Sequence, residues 1–286
     1  MIVKTNIASV NTNRLSKYQQ LDINTNFRKL SSGQRISQAG DDASGYAVTE
    51  KMTAQIEGLN QAERNAFDGI SFIQTTEGYL STTNTVLRRI RELAVQAANG
   101  VYTTEDRLQI EVEVSQMVHE VDRLASYAQF NGLNMLTGRF ANDQFGGIPT
   151  ASMWFHVGAN VDQNIRAYVG TFTANALALK DEAGNIVVSV SAPAKANRTI
   201  AVIDDAIKRV NKQVADLGAY QNRLNKVTQS VSIGSENLQA ARSRIRDVDM
   251  AKEVSDLVRN QILNQAQISM ISQANQRAQS VLQLLQ

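Results

Sequence analysis

The residues that could do chemistry are few, and their spacing fails each reactive pattern. The 286-residue chain has no cysteine and two histidines, which removes disulfides, thiolate nucleophiles and Cys-ligated zinc, and leaves little for a His-based metal site. His119-Glu120 begins a metalloprotease signature, but the position that should hold the second histidine is Arg123. Asp247-Val248-Asp249 begins like a calcium loop, but Val258 stands where the closing acidic ligand belongs. No glycine-rich phosphate cradle is present. Asp41-Asp42-Ala43-Ser44-Gly45 offers two adjacent carboxylates for acid–base work; lying between two helical stretches, they read instead as a turn and a helix cap. Arg88-Arg89-Ile90-Arg91, followed by Glu92, reads as a charged helix face rather than an anion patch. His119 borders an apolar helix column and His156 sits in a short apolar strand, so both read as structural. Asn197-Arg198-Thr199 matches a glycosylation sequon, a weak pattern without a secretory signal. No enzyme activity, metal or cofactor is expected.

The elements around these residues are long helices. Lys+Arg is 29 against 27 for Asp+Glu, a near balance that argues against a protein built to bind nucleic acid. No apolar run is long enough to cross a membrane, and the first residues lack the apolar core of an ordinary signal peptide. The two prolines, Pro149 and Pro193, both lie in the middle third, so the flanks can hold uninterrupted helix.

Over 46–98, Leu59, Ala66, Ile73, Leu80, Leu87 and Ala94 recur every seven residues. A helix of that span would be about 75–80 Å long, and Asn99-Gly100 supplies its stop. A second helix is predicted after Thr103-Thr104. Its apolar face is Ile110, Val114, Met117, Val121, Leu124 and Ala128, and Phe130-Asn131-Gly132 ends it. A third column, Ile203, Val210, Leu217, Leu224, Val231, Leu238 and Ile245, keeps the heptad and reads as coiled-coil packing. Between the arms, roughly 138–197, three short apolar runs (153–157, 166–169 and 186–190) read as strands of a small β-rich tip.

Both ends, 1–42 and 246–286, look helical with unusual polar faces. From Asn260 to Gln286 the single charged side chain is Arg277, and the remaining polar residues are Gln, Asn and Ser. The apolar stripes are Ile7, Val10, Leu15, Tyr18, Leu21 and Leu30 at one end, and Ile262, Ala266, Ile271, Ala274, Ala278, Val281, Leu282 and Leu285 at the other. Neutral amides suit a helix packed on several sides or one lining a watery lumen. Neither end carries enough large apolar groups to be stable alone, so order on assembly is expected.

Several stretches in sequence order resemble the bacterial flagellins: Leu30-Ser31-Ser32-Gly33-Gln34-Arg35-Ile36, Ala39-Gly40-Asp41-Asp42-Ala43-Ser44-Gly45, Ile90-Arg91-Glu92-Leu93-Ala94-Val95-Gln96, Gln129-Phe130-Asn131-Gly132, and Ser243 through Ala251. The segment Ala151 to Ala159 is similar to the core flagellins of spirochaete periplasmic flagella. The resemblance implies a mainly α fold, a long antiparallel helical coiled-coil rod with a small β-hairpin region between the arms and paired terminal helices. It implies that 1–42 with 246–286 form an inner tube and that 43–245 form a rod domain including the insertion at 138–197. It further implies a structural subunit exported unfolded by a type III apparatus and polymerised into the motility filament, outside the cytoplasm and periplasmic if the spirochaete likeness holds. A hook–filament junction protein or a secreted coiled-coil effector are the alternatives. The implied partners are further copies of the chain, the flagellar cap, hook-junction proteins, an export chaperone and sheath proteins, with no nucleic acid and no membrane. Assembly is assigned to Ile7, Val10, Leu15, Leu21, Leu30, Ile262, Ile271, Val281, Leu282 and Leu285. Arg89, Leu93 and Glu113 match the contact positions of flagellins sensed by the flagellin-specific Toll-like receptor.

Overall fold

The computed structural model describes residues 6–140, 152–181 and 183–283, with side chains described except at 278, 279 and 281–283. Among the described residues the chain forms five helices: α1 (Ile7–Ser32), α2 (Ala43–Ala98), α3 (Thr104–Tyr127), α4 (Pro193–Arg246) and α5 (Met250–Gln283). Two antiparallel strand pairs accompany them. β1 (Gln129–Phe130) pairs with β2 (Leu133–Asn134), and β3 (Met153–His156) pairs with β4 (Asn164–Ala167). The fold is mainly α, as the periodicity predicts.

The chain divides into two units. One comprises residues 57–235 and the other residues 1–56 with 236–286.

The 57–235 unit holds the heptad core. Ala66, Ile73, Leu80, Leu87 and Ala94 of α2 face Ile203, Val210, Leu217 and Leu224 of α4, all essentially inaccessible to water. Polar ties across the seam run from Arg91 to Asp204, Asn84 to Asn211 and Ser235 to Asn60. Rising numbers on one helix meet falling numbers on the other, so this pair is antiparallel. In α3 the buried face is Ile110, Val114, Val118, Val121 and Leu124, whereas Met117 is half-buried. Thr103 and Asp106 form the reciprocal hydrogen bonds of a capping box at the start of α3.

Phe72 joins this helical core to the β-hairpins. Its ring packs edge-on against Phe130 and Phe140, with centroids 5.6 and 6.0 Å away, and at a tilt against Phe155 at 5.9 Å. Gly69, one turn earlier, is what admits Phe155. A side chain there would stand 3.0 Å from that ring and 3.2 Å from Leu224.

Several boundaries differ from the sequence reading, among them β4, which spans Asn164–Ala167 rather than 166–169. Phe130-Asn131-Gly132 does more than end α3: Asn131 and Gly132 both have positive φ, 49° and 75°, and form the two-residue turn of the β1–β2 hairpin. The stretch 186–190 is no strand; it makes a single bridge, Lys180 to Ile186, although Val188 and Val190 are buried. Helix α4 starts at Pro193, inside the segment read as β-rich, because proline's missing N–H costs nothing in a first turn.

Candidate assembly site: the terminal helix pair

In the second unit, α1 ends on Gly33 in the left-handed conformation (φ 68°), and its N–H bonds the Lys29 carbonyl. The chain then runs beside the end of α4, where Arg35 N–H donates to Arg246 O at 2.7 Å and Val248 N–H to Gly33 O at 3.1 Å. Asp41 and Asp42 are the turn and cap expected. Asp41 Oδ2 accepts from Ser37 N, Ser37 Oγ and Gln38 N, and Arg28 reaches Oδ1 at 3.0 Å. Burial pushes this carboxyl up, but the hydrogen bonds from Ser37 and Gln38 and the Arg28 charge outweigh it and hold it below the usual aspartate value. Asp42 Oδ1 accepts from Gly45 N at 3.0 Å at the start of α2, and that bond, with the Ser44 hydroxyl, lowers its pKa. Asp249 caps α5 in the same way through Ala251 and Lys252 N–H.

Helices α1 and α5 lie side by side, their backbones within 8 Å along the seam. Asn6 meets Ala274, Gln19 meets Asn260, and Lys29 meets Glu253, so the pair is antiparallel. The covered positions of α1 are Ser9, Thr12, Ser16 and Gln19, then Ile23, Asn26 and Leu30. Those of α5 are Glu253, Leu257 and Asn260, then Asn264, Gln267, Ile271 and Ala274. Both sets alternate in steps of three and four, which is a coiled-coil seam. Its filling is mostly amide, hydroxyl and small side chains, which allow the close approach.

The predicted apolar stripes therefore lie elsewhere. Ile7, Val10, Leu15, Leu21 and Ile262 are 48–65% exposed, on surfaces of the pair that face away from the seam. Tyr18, Phe27, Leu263, Ile268 and Met270 are exposed with them. Leu30 and Ile271 behave differently: both are half-buried seam residues rather than members of the outer face. The side chains of Val281 and Leu282, and all of Leu285, lie outside the described residues. Sequence reasoning missed the seam because its amides resemble an ordinary solvated face. The three–four spacing of Ser9 through Leu30 was the available signal.

In the other unit, Arg89 donates to Glu113 Oε1 at 2.9 Å, and the Glu113 hydrogen bond, then its charge, raises the arginine's pKa. Leu93 is 2% exposed and belongs to the core, so it is no surface contact. Arg107, which the sequence did not single out, is buried and donates to Ala97 O at 3.0 Å and Asn99 O at 3.1 Å, closing the end of α2. His119 and His156 are both exposed rather than core. Lys180 lies between His119 Nδ1, at 3.2 Å, and Asp122. A groove of about 400 Å³ is lined by Leu59, Val157, Asp162, Arg223, Ser230 and Val231, with no histidine or thiol to act as base or nucleophile. Among the described residues no acidic or histidine cluster could hold a metal, and no helix is long and apolar enough to cross a membrane.

The model of the bacterial flagellin N-terminal helical region matches residues 3–141, and that of the C-terminal helical region matches residues 200–285. The chain belongs to the bacterial flagellin family. It is 58% identical to flagellin FlaB2 of Treponema pallidum and 54% identical to a flagellar filament core protein of Brachyspira hyodysenteriae, in each case over 100% of both chains. These relatives are spirochaete proteins. A crystal structure of Bacillus cereus flagellin is 25% identical and covers 63% of this chain and 94% of that one, with a TM-score of 0.49. The two matched flagellin regions meet in the α1–α5 pair of this chain.

Proposed function

We propose that this flagellin polymerises into the core of a flagellar filament through its terminal helix pair, as a structural subunit without catalytic role. The observation that carries the reading is the exposure of Ile7, Val10, Leu15, Leu21 and Ile262 beside a seam filled mostly by amide, hydroxyl and small side chains. Apolar side chains left exposed on two adjoining helices gain free energy when they are covered, at roughly 25 cal/mol per Å². Identical subunits cover it for one another under helical symmetry, so one weak contact repeats along the whole polymer. Family membership and the names of the full-length relatives support the same reading. The spirochaete relatives favour a periplasmic flagellum, and type III export of the unfolded chain fits the weak intrinsic stability of the ends.

Cap, hook-junction, chaperone and sheath proteins are proposed partners on family grounds. Receptor recognition is proposed for released protein only, through Arg89 and Glu113, since Leu93 is covered.

Purified chain added to sheared filament seeds should elongate them, as followed by electron microscopy. Leu21→Asp with Ile262→Asp should abolish elongation while the thermal transition of the 57–235 unit stays put. Wild-type-length filaments from that double variant would contradict the proposal. Failure of the parent chain to elongate its own seeds would favour a hook–filament junction protein.

A further inference from the structure

We propose that Asn99-Gly100, the dipeptide that stops α2, is a site of spontaneous deamidation and isoaspartate formation, promoted by Arg107. The proposal does not depend on the assembly reading above. The chain has two Asn-Gly pairs, Asn99-Gly100 and Asn131-Gly132, and all four residues are exposed. Sequence alone gives the pairs equal reactivity, because in both the glycine sets no side chain in the way of its attacking main-chain nitrogen. The structure separates them.

In the reaction the Gly100 main-chain nitrogen gives up its proton to water and attacks Asn99 Cγ. The N–Cγ bond forms, the Cγ–Nδ2 bond breaks, and the side-chain nitrogen takes a proton and leaves as ammonia. A succinimide ring remains. Water then opens it at Cγ, giving aspartate, or at the main-chain carbonyl, giving isoaspartate with the chain routed through the side-chain carbon. The surroundings of Asn99 favour each part of this. Gly100 N–H donates to no acceptor among the described residues, and a side chain built on Gly100 would meet nothing within 4 Å. Val101 N–H donates to Asn99 Oδ1 at 3.3 Å, which draws electrons from Cγ and meets the oxygen on which negative charge develops. Arg107 is 8% exposed; it donates from Nη2 to Asn99 O at 3.1 Å and from Nε to Ala97 O at 3.0 Å. The Asn99 carbonyl shares a peptide unit with the Gly100 nitrogen. A guanidinium charge on that carbonyl therefore stabilises the deprotonated nitrogen, and its burial strengthens the effect. Asn131 is held differently. Its φ of 49° and the 75° of Gly132 lie in the left-handed region, pinned by the pairing of Phe130 with Leu133. Ring closure needs the side-chain amide carbon and the next nitrogen eclipsed about the Cα–C bond. The left-handed conformation is far from that torsion, so the hairpin has to open first. At Asn99 the product sets a carboxylate at the C-terminal end of α2, where the helix dipole disfavours it, and shifts the carbonyl that Arg107 holds.

The test incubates the full chain, folded in near-neutral buffer and in parallel unfolded in denaturant. Conversion of each asparagine is read by peptide mapping with mass spectrometry, and isoaspartate by enzymatic carboxyl methylation. In the folded chain Asn99 should convert at least about tenfold faster than Asn131, whereas in denaturant the two rates should agree within about twofold. Gly100→Ala, which the open space accommodates, should slow Asn99 by more than about tenfold. Arg107→Gln should slow it by about fivefold, and Arg107→Lys, which keeps the charge, should restore most of the rate. That rescue is what a merely structural role for the arginine does not predict. Equal rates at the two asparagines of the folded chain, or faster conversion of Asn131, overturn the site. Conversion of Asn99 in Arg107→Gln as fast as in the parent chain, or faster, overturns the promoting role and marks the arginine as a clasp that guards the turn.

Discussion

Single side chains in this flagellin settle points that composition leaves open. Phe72 is 1% exposed and touches three other rings. Phe72→Ala should cost about 3–5 kcal/mol, read as a lower denaturant midpoint at unchanged slope. Arg107→Met should cost about 1–3 kcal/mol, because the carbonyls of Ala97 and Asn99 lose their buried donor. The carboxylates give a pH dependence with a definite sign. Asp41, Asp42, Asp106 and Glu120 all lie below their ordinary values, through hydrogen bonds from Ser37, Gly45, Thr103 and Arg123 respectively. A depressed carboxyl contributes stability above its unfolded pKa and loses it as pH falls through the folded one. Thermal stability should therefore hold at neutral pH and decline below about pH 4, with a shallower decline in Asp41→Asn; a flat profile down to pH 2 would contradict this.

At the level of elements, much was legible. The seven-residue columns of α2 and α4 locate the buried faces because an apolar residue repeating through so many turns has one explanation, continuous burial against another helix. Asp42 announces a helix start, whereas Asp249, read only against a calcium loop, turns out to cap α5. What was not legible follows from chemistry that looks alike in sequence. Pro193 reads as a breaker but opens α4, since a first turn does not need its N–H. Asn131-Gly132 reads as a helix stop, and its second role as a hairpin turn depends on β2 returning against β1. Leu93 follows exposed Glu92 on the chain, yet the rotation of about 100° per helical residue carries it to the core. The approach of β3 to α2 is set by the bare backbone at Gly69. Gly69→Val should lower the unfolding midpoint by the equivalent of about 1–3 kcal/mol, since the Phe155 ring and Leu224 have to move. A neutral result in calorimetry would mean that the hairpin relaxes freely.

For the whole molecule the governing feature is the contrast between its two units. The 57–235 unit is held by a core of large, fully buried side chains. The unit containing both ends has a helix seam filled mostly by amide, hydroxyl and small side chains, and leaves many of its large apolar groups exposed. Terminal composition predicted marginal stability but not this orientation, because periodicity finds an apolar stripe without saying whether the partner is the same chain or another. Assembly by exposed stripes makes a strong demand on order. Helices α1 and α5 should gain much of their stability from neighbours, whereas α3 should be indifferent to them. Hydrogen–deuterium exchange of dilute subunits against assembled filaments tests this most directly. The account predicts that amides of 7–32 and 250–277 exchange at least about a hundredfold more slowly in the filament, with those of 104–127 unchanged. Terminal helices that are already as protected in the lone subunit as in the filament would contradict it.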